Sequence, residues 1–142
     1  MYDNILLSVD LNEESSWKKA LPTAVEYAKA FGAALHVAAV VPDFGMAVVG
    51  GFFPDNFEEK ALAEVGEKLK AFCREHVPAD VKVSHVVRHG RVYEEILKIA
   101  GETGTDLIVM GAHRPELKDY LLGPNAARVV RHANCSVLVV RD

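Results

Sequence analysis

The chain has 142 residues, half of them hydrophobic and a quarter charged, with a formal net charge of -4. This length and balance predict one globular domain, residues 1–142, with room for a substantial core. The negative charge argues against a broad nucleic-acid-binding face, and no apolar run reaches the roughly 20 residues of a membrane span. The first residues show no basic and apolar leader, and the two distant cysteines favour a reducing compartment. We therefore expect a cytoplasmic protein.

The first part of the chain is predicted to be a strand followed by a helix. Asn4–Val9 is a short apolar run typical of a buried strand. The helix after it is expected to be capped by Ser15 or Ser16 and to end at Gly32. Pro22 lies in its first two turns, so the start of this helix is expected to be kinked or shifted.

The middle of the chain is predicted to hold two more strands and a second helix. Ala34–Val41 is nearly all apolar, as in a sheet covered on both faces, and Pro42 ends it. Asp43–Asn56, rich in glycine and phenylalanine, is the one long irregular segment and is predicted to be a lid or a protein contact. Phe57–His76 is an amphipathic helix, and the partly polar Val81–His89 is predicted to be an edge strand.

The C-terminal third adds two helices and two strands. The third helix is predicted at Val92–Gly101, the fourth strand at Leu107–Met110, the fourth helix at Asn125–His132 and the fifth strand at Ser136–Val140. Alternation of this kind predicts an α/β fold. We expect a single doubly wound, Rossmann-like domain, whose five-stranded parallel sheet has the order 3-2-1-4-5 with helices on both faces.

A phosphate-binding pattern lies within Leu107–Asn125. The apolar strand ends at Gly111, and a polar loop and a helix start follow it, with His113, Arg114, Gly123, Pro124 and Asn125. Glycine allows a ligand to approach the backbone closely, and a helix N-terminus carries partial positive charge. Because the winding reverses between strands one and four, Asp10 is predicted to lie beside Gly111 at the ligand-binding edge.

Other interpretations of these side chains remain open. Asp10 could cap a turn, and His113 and Arg114 could be solvated surface residues. The remaining histidines have no metal-ligand spacing, and Cys73 and Cys135 are expected to be buried, inert thiols. No Ser-His-Asp or Cys-His arrangement is present, so the sequence favours binding over catalysis.

The whole chain resembles the universal stress protein family, above all in its end, GAHRPELKDYLLGPNAARVVRHANCSVLVVRD. The family signature is G-x-x-G, nine residues and G-S/T, and Gly111 and Gly123 match its first and last glycines. Arg114 replaces the second glycine, eight residues separate it from Gly123, and Pro124 stands at the Ser/Thr position. Proline suits a first helical turn but removes one N–H donor. A bacterial subgroup with HRP and YLLG-x-NA in these places is especially similar.

The resemblance implies an adenine nucleotide alpha hydrolase-like fold and a site for ATP, ADP or AMP, with Mg²⁺ beside a triphosphate. It implies that Asp10 lies near the adenine and ribose, that Val40 lines the adenine slot, and that Ser8 and Met110 are further contacts. It assigns these residues to the ribose and phosphates: Gly111, His113, Arg114, Gly123, Pro124 and Asn125. It also implies a regulatory or protective stress protein with at most slow hydrolysis, and a homodimer paired through the Ser136–Val140 edge strand.

Two other functions remain as alternatives. Pro124 and the shortened loop are compatible with a stress protein that binds no nucleotide and acts through protein contacts at Asp43–Asn56. An adenylylating enzyme of the same fold group is the second alternative. Such enzymes usually carry an SGGxDS-type loop after strand one, and the segment Ser8-Val9-Asp10-Leu11-Asn12 has no glycine.

Overall fold

The computed structural model of the protein describes residues 1–42, 57–112 and 124–141. The strands are β1 (Asn4–Ser8), β2 (Ala34–Pro42), β3 (Val83–Gly90), β4 (Leu107–Gly111) and β5 (Ser136–Val140). The helices are α1 (Ala20–Phe31), α2 (Phe57–His76), α3 (Val92–Thr103) and α4 (Pro124–His132), with a short 3₁₀ helix at Glu14–Ser16. The predicted lid or contact at Asp43–Asn56 and the predicted site residues His113, Arg114 and Gly123 lie outside the described residues.

All five strands form one parallel sheet in the order β3-β2-β1-β4-β5. This arrangement confirms the predicted α/β fold, the strand order and the edge position of the third strand. Ser8 at the end of β1 pairs with Ala38 of β2 and with Met110 of β4. The carboxyl ends of these three strands therefore lie at one edge of the sheet, where the winding reverses.

Successive residues of the strands supply two separate cores, one on each face of the sheet. On the first face Ile5, Leu7 and Val109 are fully buried and pack with residues of α1 and α2. On the second face Leu6 and Ile108 are fully buried and pack with residues of α3 and α4. The strands read as continuous apolar runs because helices cover both faces.

The first helix begins later than the predicted cap at Ser15 or Ser16. Its first residue is Ala20, after the short 3₁₀ helix, and Ser16 closes the turn after β1 instead of capping α1. Pro22 is then the third residue of α1, where a missing N–H breaks no bond within the helix. The predicted shift of the helix start is confirmed.

The third helix continues past the predicted end at Gly101. It runs to Thr103, and Gly104 ends it in the left-handed conformation, with φ 64° and its N–H donated to the Ala100 carbonyl. Glycine adopts this conformation without the steric penalty of a Cβ atom.

Both cysteines are free thiols in environments that disfavour the thiolate. Burial raises the pKa of Cys73 in α2 to about 11. Cys135, which is only half-buried, also has a raised pKa because of burial and, less, because of the Asp106 carboxylate. Both thiols are therefore protonated and weakly nucleophilic at neutral pH.

His36 links three strands near the amino edge of the sheet, opposite the edge where the winding reverses. Its Nδ1 lies 2.7 Å from the Ser84 hydroxyl of β3, and its Nε2 lies 3.2 Å from Oδ1 of Asn4 in β1. Burial and, less, the nearby Lys82 ammonium lower the pKa of His36. The folded state therefore favours the neutral imidazole.

We expect the stability of the protein to decrease as the pH falls below the ordinary histidine pKa of about 6.5. In that range the unfolded state takes up a proton at His36 that the folded state resists, so the free energy of unfolding falls with pH. This contribution is at most about 1.4 kcal/mol per pH unit. In urea denaturation at neutral and mildly acidic pH, His36→Gln should lack this contribution to the pH dependence of stability. Substitution of the exposed His85, His85→Gln, is the matched control. A pH dependence equal to that of the wild type in His36→Gln would contradict this assignment.

Candidate functional site

A cavity of about 430 Å³ opens at the carboxyl edge of the sheet, where the winding reverses between β1 and β4. This volume is within the usual range of small-molecule sites, roughly 300–1,000 Å³. The lining residues are Ser8, Val9, Asp10, Asn12, Ser16, Val40, Pro42, Val92, Met110, Gly111, Ala112, Asn125 and Ala126. They come from the ends of three strands, the turn after β1 and the starts of α3 and α4. Open α/β sheets bind their ligands at this position.

Most of the predicted site residues within the described ranges meet in this cavity. The lining includes Ser8, Asp10, Val40, Met110, Gly111 and Asn125. Pro124 is the exposed first residue of α4 and is not among the lining residues. His113 and Arg114 directly follow Ala112 in the sequence, and the Ala112 N–H donates to the Val140 carbonyl at 2.9 Å.

Asp10 organises the turn that forms one wall of the cavity. Its Oδ1 accepts the Asn12 N–H at 3.0 Å, and its own N–H donates to the Ser16 hydroxyl oxygen at 2.9 Å. Its carbonyl accepts the Glu13 N–H at 3.0 Å. The turn-capping role that the sequence left open is therefore present, and the same exposed carboxylate lines the cavity.

Gly111 permits close packing between the end of β4 and the turn after β1. A Cβ atom at this position would lie 2.6 Å from the Ser16 carbonyl oxygen and 3.3 Å from the Ser15 carbonyl oxygen. The sequence predicted a glycine here for the approach of a ligand. The structure gives a different reason, because the neighbour that excludes a side chain is backbone of the same chain.

The start of α4 forms the wall of the cavity that suits an anion. Asn125 and Ala126 both line the cavity, and they belong to the first turn of a helix of 9 residues. The first N–H groups of a helix have no partner within it and carry partial positive charge. Pro124 occupies the first position, where the missing N–H would have had no partner within the helix. This helix start can therefore accept a phosphate or carboxylate group.

The cavity is lined by both apolar and polar side chains. Val40, Pro42, Val92 and Met110 supply apolar surface, whereas hydroxyl, amide and carboxylate groups come from Ser8, Asp10, Asn12, Ser16 and Asn125. Asp10 is the only ionisable side chain among the described lining residues. The lining suits a ligand that combines apolar surface, hydrogen-bonding groups and an anionic end.

A smaller hollow of about 140 Å³ lies on the α2 side of the same turn. It shares Val9, Asp10, Asn12, Val40 and Pro42 with the main cavity, and Val65 and Lys68 of α2 complete its wall together with nearby strand residues. The turn after β1 is therefore bordered by open space on both sides.

Among the described residues, no group of three or more His, Cys, Asp and Glu side chains could hold a metal ion.

Several lining residues were not predicted from the sequence: Val9, Asn12, Ser16, Pro42, Val92, Ala112 and Ala126. Strand alternation could have found Pro42, because it lies two residues beyond Val40 on the same face of β2. The position of Ser16 has no such signal, because it depends on side-chain hydrogen bonds within the turn.

None of the helices in the described parts of the chain is long and apolar enough to cross a membrane.

Comparison with known proteins gives a family match over nearly the whole chain. The model of the universal stress protein family matches residues 1–141. Universal stress protein G of Escherichia coli O157:H7 is 34% identical over 143 aligned positions, which cover 99% of this chain and 100% of that protein.

Solved structures show the same fold. Protein MJ0577, a universal stress protein of Methanocaldococcus jannaschii, is 29% identical with a TM-score of 0.76, over 100% of this chain and 97% of that one. A universal stress protein from Archaeoglobus fulgidus, solved in complex with dAMP, is 21% identical with a TM-score of 0.65, over 97% of each chain. At that identity the second match concerns the fold alone.

Proposed function

Because this chain belongs to the universal stress protein family, we propose that it is a small adenine-nucleotide-binding protein of the stress response. The bound nucleotide would act as a regulatory or protective signal rather than as a substrate that is turned over quickly. One observation carries the proposal. Predicted site residues from three strand ends and one helix start line a single cavity where the winding reverses.

The apolar and polar lining residues suit the base and the sugar of a nucleotide. Val40 and Met110 offer apolar surface to an adenine ring, and Asp10 offers a carboxylate to the ribose hydroxyl groups. A carboxylate near the end of a parallel strand is a common ribose partner in nucleotide-binding α/β folds. The dAMP complex of the Archaeoglobus fulgidus protein demonstrates that this fold can hold an adenine nucleotide in another chain.

The phosphates would lie against the start of α4. The N–H groups of the first turn, which contains Asn125 and Ala126, can donate to phosphate oxygens. No cationic side chain is among the described lining residues, so the charge of a triphosphate must be balanced elsewhere. We propose that Mg²⁺ and the Arg114 guanidinium, which can donate a fork of N–H groups, supply that charge. We also propose His113 and Gly123 as contacts of the ribose and phosphates.

Hydrolysis of the nucleotide is proposed to be slow at most. Asp10 is the only ionisable group among the described lining residues, and its Oδ1 already accepts the Asn12 N–H. Efficient hydrolysis needs a group that positions or deprotonates water beside the phosphate. The described part of the cavity offers nothing equivalent near the start of α4.

We also propose that the protein is a cytoplasmic homodimer paired through β5. β5 pairs with β4 on one side and is an edge strand of the sheet. Its sequence SVLVV is almost entirely apolar, whereas the opposite edge strand β3 carries His85, Arg88 and His89. An apolar edge strand is more prone to pair with another chain than a charged one. For the cellular compartment the support is separate, because the two free thiols fit a reducing environment. A monomer in sedimentation velocity would contradict the dimer.

Calorimetric titration with ATP and Mg²⁺ tests the proposed function. The protein is first stripped of nucleotide, and the material as purified is analysed for nucleotide that it carries. We expect saturable heat with one nucleotide per chain. Titrations with ADP, AMP and cyclic AMP would show how the affinity depends on the phosphate groups.

The absence of heat, of a shift in melting temperature and of carried nucleotide would contradict nucleotide binding. The alternative function would then take its place, in which the protein acts through protein contacts without a nucleotide.

A further inference from the structure

Trp17, the only tryptophan of the chain, has an unusual environment beside the cavity wall. Its indole packs edge-on against Phe72, with 4.9 Å between ring centroids, and at a tilt against His76, with 5.0 Å between ring centroids. Its Nε1–H is fully buried and has no hydrogen-bond partner in the described part of the protein. Buried indole N–H groups usually find an acceptor, and one without a partner raises the free energy of that conformation.

The backbone connects this indole directly to the turn after β1. Ser16, the residue before Trp17, lines the cavity, and its hydroxyl oxygen accepts the Asp10 N–H at 2.9 Å. The same hydroxyl lies 2.8 Å from the Glu13 carbonyl, to which it can donate. The Ser16 carbonyl lies close against Gly111 on the other side. These contacts fix the position of the backbone immediately before Trp17.

We propose that the turn from Asp10 to Trp17 is a two-state relay between the cavity and the C-terminal turn of α2. In the state described here, the Asp10 and Ser16 hydrogen bonds hold the indole with its N–H unbonded against Phe72 and His76. A ligand that exchanges these bonds for its own contacts releases the turn, and the indole N–H then reaches an acceptor. Coupling between two sites requires an element whose equilibrium both sites influence, and in this proposal that element is the turn from Asp10 to Trp17.

The relay can be tested without any ligand, through Ser16→Ala. This variant removes the hydroxyl that holds the turn, so we expect a red shift of Trp17 fluorescence. We also expect hydrogen exchange at residues 72–77 to become about 2- to 10-fold faster, the change that corresponds to one lost hydrogen bond. Thr103→Ala is the matched control. It removes a hydroxyl that also donates to a backbone carbonyl at 2.8 Å, in a helix on the other face of the sheet.

Faster exchange and a red shift in Ser16→Ala, both absent in Thr103→Ala, would support the relay. Wild-type exchange at residues 72–77 in Ser16→Ala would overturn it, because the disturbance would then end at the turn. Equal effects in both variants would also overturn it, since they would indicate general destabilisation.

The response to ATP and Mg²⁺ rests on the proposed function and separates the two ideas. We expect ATP to shift Trp17 fluorescence in the wild type in the same direction as Ser16→Ala does. Heat of binding without any change in fluorescence or in exchange at residues 72–77 would overturn the relay and leave the proposed function standing. If no heat appears, the proposed function fails, and the comparison of Ser16→Ala with Thr103→Ala still decides whether the turn and α2 are coupled.

Discussion

Gly111→Ala is expected to lower the free energy of unfolding by about 1–3 kcal/mol, the usual range for forcing extra atoms into a packed site. The new methyl group would lie 2.6 Å from the Ser16 carbonyl oxygen, a distance that real Cβ atoms essentially never show. The neighbour is backbone held by the Asp10 turn, so it cannot rotate away as a flexible side chain would. Either β4 or the turn must move.

Gly101→Ala is the matched control for this change. Gly101 lies in α3, and a Cβ atom there would meet nothing within 4 Å. Alanine is favoured over glycine inside a helix, so this variant should be as stable as the wild type or more stable by about 0.5–1 kcal/mol. Urea denaturation of both variants decides the matter. Wild-type stability in Gly111→Ala would contradict the close packing.

Asp10→Ala is expected to weaken ATP binding by about 10- to 100-fold, the loss that corresponds to a hydrogen bond with a charged group. The variant removes the carboxylate proposed to accept from the ribose, and it removes the acceptor of the Asn12 N–H that shapes the cavity wall. Calorimetric titration measures the loss. Asp80→Ala makes the same change of charge at an exposed residue outside the cavity lining and should bind like the wild type.

Asp10→Asn separates the two contributions of this residue. An asparagine oxygen can still accept the Asn12 N–H, because asparagine forms the same turn as aspartate. We therefore expect a smaller loss of affinity than in Asp10→Ala, caused by the missing charge alone. Wild-type affinity in Asp10→Ala would exclude Asp10 from the binding site. Its only remaining role would then be in the hydrogen bonds of the turn.

Hydrophobic patterning predicted all five strands, with ends that differ from those in the structure by at most two residues, the largest difference being at the start of β3. The predicted fifth strand Ser136–Val140 has the bounds found in the structure, and β1 and β4 differ by one residue at their ends. These strands are short apolar runs between polar residues, and helices cover both faces, so pattern and tertiary packing agree. The strand order followed from the alternation of strands and helices and the reversal of winding.

The turn after β1 could not be predicted in the same way. Ser15 and Ser16 followed by apolar residues at helical spacing resemble a helix cap, yet Ser16 bonds to Asp10 and Glu13. Serine can bond to many nearby backbone groups, and the Ser16 backbone also packs closely against Gly111 of β4. That contact joins residues far apart in sequence, so local sequence patterns cannot predict it.

The lining of the cavity was predicted best where strand ends form it. Ser8, Val40 and Met110 lie near strand ends and were predicted from the family resemblance, whereas topology predicted only that Asp10 lies beside Gly111. Val92 of α3 reaches the cavity because β3 extends to Gly90, which pairs with Pro42 in the register of the sheet. The sequence indicated a helix near Val92 but gave no sign that the start of this helix lines the cavity.

The measurement that tests the central claim most directly is a nuclear magnetic resonance titration of the isotope-labelled protein with ATP and Mg²⁺. We predict that the largest amide shifts occur at the carboxyl edge of the sheet, in residues 8–12, at Val40, in residues 110–112 and at Asn125 and Ala126. Saturable shifts confined to other surfaces, such as the outer face of α2 or the strand β5, would place the nucleotide elsewhere. That result, or the absence of any shift, would contradict the proposed site.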